Sequence, residues 1–166
     1  KPRGLSDFSV AADTVAPVTT ATLSGTANGA GWFKDDVTVT LTAADDQAGA
    51  VATQYAINSG TPATYTGPVT IGSEGTTTLS YSSTDGAGNV ETAQSLQVKL
   101  DKTAPTATLT ESGHAVADVV NTAALKFDLV SSDALSGVAE QSLTLDGNAL
   151  TSGQTIAAGS LAEGSH

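Results

Sequence analysis

Apolar and polar residues alternate along this chain in short runs. In "VTVTLTAAD" (37–45), Val37, Val39 and Leu41 fall on one face and threonines on the other. A period of two belongs to a strand with one face buried, because successive side chains leave a pleated backbone on opposite sides. The same period runs through "VTTATLSG" (18–25), "ATQYAIN" (52–58), "TTTLSYSST" (76–84) and "SLQVKL" (95–100). It predicts Tyr55 and Ile57 inward on one strand and Leu96, Val98 and Leu100 aligned on another. "ATYTG" and "PVTI" are expected to pair with each other, interrupted at Gly67-Pro68. Turns containing Gly, Pro or Asp separate the runs, and no segment carries a helical period. The pattern predicts an all-β fold of short strands packed as a sandwich.

The pattern also repeats. "DTVAPVTTATLSG" (13–25) matches "DKTAPTATLTESG" (101–113) at an offset of 88, Asp13 to Asp101. "DQAGAVATQYAINSG" (46–60) matches "DALSGVAEQSLTLDG" (133–147) at 87, Asp46 to Asp133, and "SEG" (73–75) echoes "AEG" (162–164) at 89. The repeat predicts two tandem sandwiches of immunoglobulin-like size, residues 13–100 and 101–166. Residues 1–12 read as a linker or the tail of a preceding domain. The second copy reaches His166 without counterparts of "TTTLSYSSTD" and "NVETAQSLQVKL", so it is expected to lack its last two strands.

Several motifs accompany the repeat: "D-x-x-AP-x-T" at the entrance, "GWF" before the second strand, "YAINSG", "YTGP", "EGTTTLSYSSTDGAGNVE" and a closing "VKLDKTAPT". Together they resemble the bacterial Ig-like repeats of secreted and surface-anchored multidomain proteins. The resemblance covers nearly all of residues 13–100 and, as a divergent relative, the second copy. It implies tandem Ig-like β-sandwiches from a secreted or cell-surface protein. Such modules accompany adhesins, glycoside hydrolases and other exoenzymes alike, so the resemblance speaks to fold more than to function.

Composition narrows the classes. Lys and Arg number 6 against 17 Asp and Glu, a formal charge of -11, which argues against nucleic acid and against an anionic membrane surface. No run approaches the roughly 20 apolar residues of a membrane span. There is no Cys, which leaves neither a disulfide framework nor a thiolate metal site. No signal peptide is recognisable and Met is absent, so the chain is expected to be a segment of a longer, processed protein.

The acidic residues supply the one candidate chemistry. In an Ig-like sandwich the chain start and two loops share one pole. That arrangement gathers Asp13, Asp45-Asp46, and Asp85 with Asn89. Hard oxygen donors from several loops suit Ca²⁺, which takes 6–8 of them at about 2.3–2.6 Å. Asp101 and Asp133, counterparts of Asp13 and Asp46, form a second candidate at the junction. Turn chemistry explains the same letters, since Asp and Asn hydrogen-bond their own backbone and Gly86 and Gly88 permit positive φ. Both readings stand at this point. The resemblance favours the ion, because related adhesin repeats hold calcium near domain junctions.

Trp32, Tyr55 and Tyr65 are candidates for stacking on a sugar, against burial in a core poor in large side chains. Neither His114 nor His166 joins a Ser-His-Asp arrangement, and no opposed carboxylates or phosphate loop can be argued, so catalysis is not expected. The expected function is a non-catalytic spacer module, stiffened by Ca²⁺, whose partners are neighbouring domains of the same polypeptide. The alternatives are a module binding polysaccharide or a cell surface, or an accessory domain of an exoenzyme. A strand-donating chain at the second copy is a further expected partner.

Overall fold

The computed structural model describes residues 12–47, 49, 51–112, 114–115 and 123–161. The chain divides into two compact units, Lys1–Lys102 and Thr103–His166. Among the described residues every regular element is a strand.

In the first unit, β1 (Val18–Leu23), β3 (Val37–Ala44) and β6 (Val69–Ile71) form one antiparallel sheet in the order β1-β3-β6. The second sheet has the order β2-β8-β7-β4-β5, from β2 (Trp32–Phe33), β8 (Gln94–Leu100), β7 (Gly75–Thr84), β4 (Ala52–Ile57) and β5 (Ala63–Thr64). Val37, Val39, Leu41 and Ile71 of the first sheet meet Leu79 and Val98 of the second in one buried cluster. These are the inward positions of the period-two pattern. The hydrophobic gain of covering them against the opposite sheet fixes which face of each strand turns in.

Three details depart from the sequence expectation. The segments at 63–64 and 69–71 do not pair with each other: β5 pairs with β4 and β6 with β3. Gly67-Pro68 therefore lies where the chain crosses from one sheet to the other, and Pro68 has no N–H that a ladder could use. Ile57 stands 37% exposed, because β4 ends there in a turn whose Asn58 and Ser59 both have positive φ. Trp32-Phe33 forms a strand, β2, paired in parallel with Lys99-Leu100 of β8.

Tyr65 completes the smaller sheet. Two residues past the last β3–β6 pair, Val39↔Val69, the Leu41 N–H donates to the Tyr65 hydroxyl at 3.0 Å. A buried backbone donor at the end of a short strand is thereby satisfied.

The second unit repeats the smaller sheet. β9 (Thr106–Glu111) and β11 (Leu125–Ser132) pair from Thr106↔Ser132 to Glu111↔Phe127. β1 and β3 pair from Val18↔Ala44 to Leu23↔Val39, so every position corresponds at an offset of 88. β14 (Thr155–Ile156) takes the place of β6, with Leu125↔Ile156 matching Val37↔Ile71. β10 (His114–Ala115) extends the sheet beside β9, and β12 (Thr144–Leu145) and β13 (Asn148–Ala149) form a hairpin. Counterparts of β7 and β8 are not found among the described residues. Accordingly Phe127 and Leu129 are only half-buried, whereas their equivalents Val39 and Leu41 are buried.

Candidate metal centre

One end of the first unit gathers the start of β1, the end of β3 and the end of β7. Val18 lies opposite Ala44, and the chain continues beyond those two strand ends into Asp13 on one side and Asp45 on the other. β7 runs on through Thr84 into Asp85. Carboxylate oxygens of Asp13, Asp45 and Asp85 all lie within 4.8 Å of one another. Two ligands on opposite sides of one Ca²⁺ stand about 4.6–5.2 Å apart, so the spacing fits a common ion.

The three carboxylates are held differently. Asp85 is buried, and its Oδ1 accepts the N–H groups of Ala87 (2.9 Å), Gly88 (2.7 Å) and Asn89 (2.8 Å). Its Oδ2 accepts the Asn89 side-chain amide at 2.7 Å. That amide bond holds the Asp85 carboxyl below its ordinary value of 3.8; burial opposes the shift, and the three backbone donors reinforce it. The loop is closed beneath by Glu91 N–H to Ser83 O (2.9 Å) and by a Thr84↔Val90 bridge. Asp13 Oδ1 accepts the Val15 N–H at 3.1 Å, and Asn89 donates to the Asp13 carbonyl at 3.3 Å, tying the start of the chain to the loop.

Asp45 differs from both. Both of its carboxylate oxygens are buried, and among the described residues neither has a hydrogen-bond partner. Withdrawing an ionised carboxylate from water without a donor or counter-charge costs several kcal/mol. The second unit supplies an internal control. Asp133 follows β11 as Asp45 follows β3, so the fold pairs it with Asp45 at 88 rather than with Asp46 at 87. Asp133 Oδ1 accepts the N–H groups of Leu135 (3.0 Å) and Gly137 (2.8 Å). Turn chemistry satisfies the aspartate in one repeat and leaves it bare in the other.

The remaining candidates lie elsewhere. Asp46 is exposed and outside the cluster. Asp101 belongs to the first unit, where it is buried just past the end of β8 and its N–H donates to Phe33 O at 2.8 Å. Asp133 belongs to the second unit. Trp32 is half-buried, with Lys99 Nζ 5.9 Å from its ring centroid. Tyr55 and Tyr65 meet edge to face at 6.3 Å, both packed against the core cluster. Tyr55 also lines a shallow, open recess with Thr64, Thr66, Pro68 and Val69.

Glu91 is a residue that sequence reasoning passed over. It is 9% exposed, and its Oε1 accepts the Thr19 N–H at 2.8 Å. Its Oε2 accepts the Thr19 hydroxyl (2.6 Å) and the Ser83 N–H (3.2 Å). The Ser83 hydroxyl continues the network to Thr19 (2.6 Å) and Thr53 (2.7 Å). A buried carboxylate thus bridges the two sheets directly behind the acidic cluster. The only sequence signal is a charged residue just after a turn that returns into a strand, which is a common surface position as well.

A scan against protein-family models, a search of the curated proteins and a search of the solved structures each find no match for this chain.

Proposed function

We propose that the chain is a non-catalytic structural module, a tandem of Ig-like sandwiches that spaces neighbouring domains of a secreted or cell-surface protein. Its first unit holds a Ca²⁺ ion at the pole formed by Asp13, Asp45 and Asp85. The observation that carries this reading is the buried, unpartnered Asp45 carboxylate between two other acidic groups. A cation of charge +2 relieves both its desolvation and the mutual repulsion, and Asn89 keeps Asp85 ionised for the purpose. Ca²⁺ suits the site better than Mg²⁺, because carboxylates from three separate loops match its tolerance of irregular geometry. The half-buried face of Phe127 and Leu129 favours a further partner, a strand pair from a neighbouring segment or chain in the place that β7 and β8 occupy in the first unit.

The aromatic residues favour structure over sugar binding. Tyr65 spends its hydroxyl on Leu41, and Trp32 shares its ring with Lys99, so the three rings do not make one flat platform.

Thermal unfolding with Ca²⁺ and with EDTA tests the cation. A ligand of the folded state at about 100 times its Kd adds about 2.7 kcal/mol. For a domain of this size that raises the midpoint by roughly 10–20 °C. Asp45→Asn should abolish the increment. An unchanged midpoint in millimolar Ca²⁺ rejects the reading.

A further inference from the structure

The position of the acidic cluster along the chain suggests what an ion there does. In a spacer, tension enters ahead of Asp13 and leaves past Asp101. β1 starts at one end of the sandwich, where Val18 faces Ala44, and β8 finishes at the other, where Leu100 faces Gly75. β1 is also an edge strand: its one neighbour in the sheet is β3, and the Thr19 N–H turns instead to Glu91. Tension arriving at its first residue pulls along its axis and loads the six β1–β3 pairs in shear. Once those and the Ser24–Thr38 bonds that extend them fail, the chain is next gripped at Trp32-Phe33, where β2 lies on β8.

Two fasteners hold the start of that ladder. The permanent one is Glu91, whose carboxylate holds Thr19 at the start of β1 to Ser83 of the other sheet. The other is the acidic cluster. Asp13 lies upstream of β1, while Asp45 and Asp85 sit in loops anchored to β3 and β7 in the interior of the sandwich. Without an ion, the direct hydrogen bond across this gap is that from the Asn89 amide to the Asp13 carbonyl, at 3.3 Å. The Asp13 and Asp85 carboxylates repel each other across the same gap. With an ion, all three are drawn onto one centre.

We infer that a divalent cation held by Asp13, Asp45 and Asp85 is a mechanical clasp: it passes tension from the incoming chain to the β3–β4 and β7–β8 loops and keeps edge strand β1 out of the load path. This rests on the cation reading above and adds a direction to it. The ion stiffens the module against pulling in particular, because it carries tension past the β1–β3 ladder. It also makes that resistance conditional on the ion concentration around the protein.

Single-molecule stretching of the whole 166-residue chain between marker domains tests the clasp, with Ca²⁺ in one arm and EDTA in the other, at equal ionic strength. In EDTA, β1 should leave first and free residues 14–31. That is about 18 residues at ~3.4 Å each, less the distance they already span, or an early step of a few tens of ångströms. In Ca²⁺ that step should be lost and the first unit should open in one event at higher force. Asp13→Asn removes the carboxylate of the cluster that lies upstream of β1 and should show the early step in both arms, which also assigns the step to the first unit. If Ca²⁺ raises the thermal midpoint but the early step persists unchanged, the clasp is wrong and the ion site stands. If Asp13→Asn behaves as the native chain does in Ca²⁺, the clasp is also wrong. If Ca²⁺ alters neither the midpoint nor the step, the site itself is refuted and the clasp with it.

Discussion

Replacing Glu91 with Gln should destabilise the first unit by about 2–4 kcal/mol, although the two side chains have the same shape. The native carboxylate takes three hydrogen bonds: Thr19 N–H on Oε1, and the Thr19 hydroxyl and Ser83 N–H on Oε2. Thr19 is 5% exposed and Ser83 1%, so water cannot replace a lost partner. Glutamine has one acceptor oxygen. Placed at the Oε2 position it keeps two of the bonds but turns its NH₂ group against the Thr19 N–H, donor against donor. The orphaned backbone donor costs about 1–3 kcal/mol. The two bonds that survive lose their charge assistance, worth about 1 kcal/mol more. The opposite rotamer keeps only the Thr19 N–H and orphans the Ser83 N–H instead.

The assay is made clean by the composition of the chain. Trp32 is the sole tryptophan, and it sits in β2 against β8, so its fluorescence follows the first unit alone. With a urea m-value of about 2 kcal/mol/M, the midpoint should fall by about 1–2 M at unchanged slope. Thr19→Val removes one of the same bonds, so the double variant should cost less than the sum of the two. A midpoint within about 0.3 M of the native value would refute the reasoning, because it would mean that Glu91 reaches solvent or fresh donors at little cost.

Leu79→Ala empties a fully buried position between the two sheets and should cost about 2–5 kcal/mol in the same urea titration. Tyr65→Phe keeps the ring but strips the acceptor from the Leu41 N–H, so a loss of about 1–3 kcal/mol is expected in that titration too. Asp85 has a carboxyl lowered below 3.8, so its stabilising contribution is complete above that pH and is lost as the pH falls through the lower folded value. Stability measured by Trp32 fluorescence across an acid titration should therefore show Asp85→Asn differing from the native protein at neutral pH, starting to converge below about pH 3.8 and meeting it only below the lower folded value.

The strands were legible in the sequence because burial on one face imposes a period of two, and the strongest runs also fill the core. Val37, Val39 and Leu41 are all covered, as their spacing predicts. The pairing of short segments was not legible. "ATYTG" and "PVTI" carry too few residues to declare a partner, and only the competition between two sheets sends β5 to β4 and β6 to β3. The repeat offset slipped for a related reason. A gapless match aligned Asp133 with Asp46, whereas the hydrogen-bonded register, which tolerates no half-steps, aligns it with Asp45.

That one-residue difference changes how the site is read. Aligned with Asp46, an exposed residue, Asp133 would be another surface carboxylate and would teach nothing about the cluster. Aligned with Asp45, it becomes the same strand-end aspartate in two copies of one sheet. In the second copy the loop returns two backbone N–H groups to it, at 3.0 and 2.8 Å. In the first, both oxygens are buried with none. The same fold position can therefore be satisfied by its own loop, and in the first unit it is not. What stands beside Asp45 instead is two more carboxylates, one of them held below its ordinary pKa by Asn89. An arrangement that forgoes an available local solution and adds like charges beside a buried carboxylate is the kind that a counter-charge at its centre would relieve, which is the ground for the cation proposed above. The difference between the chain's own two repeats is therefore what separates the proposed cation from turn chemistry, and the Asp45→Asn comparison in Ca²⁺ reads it directly.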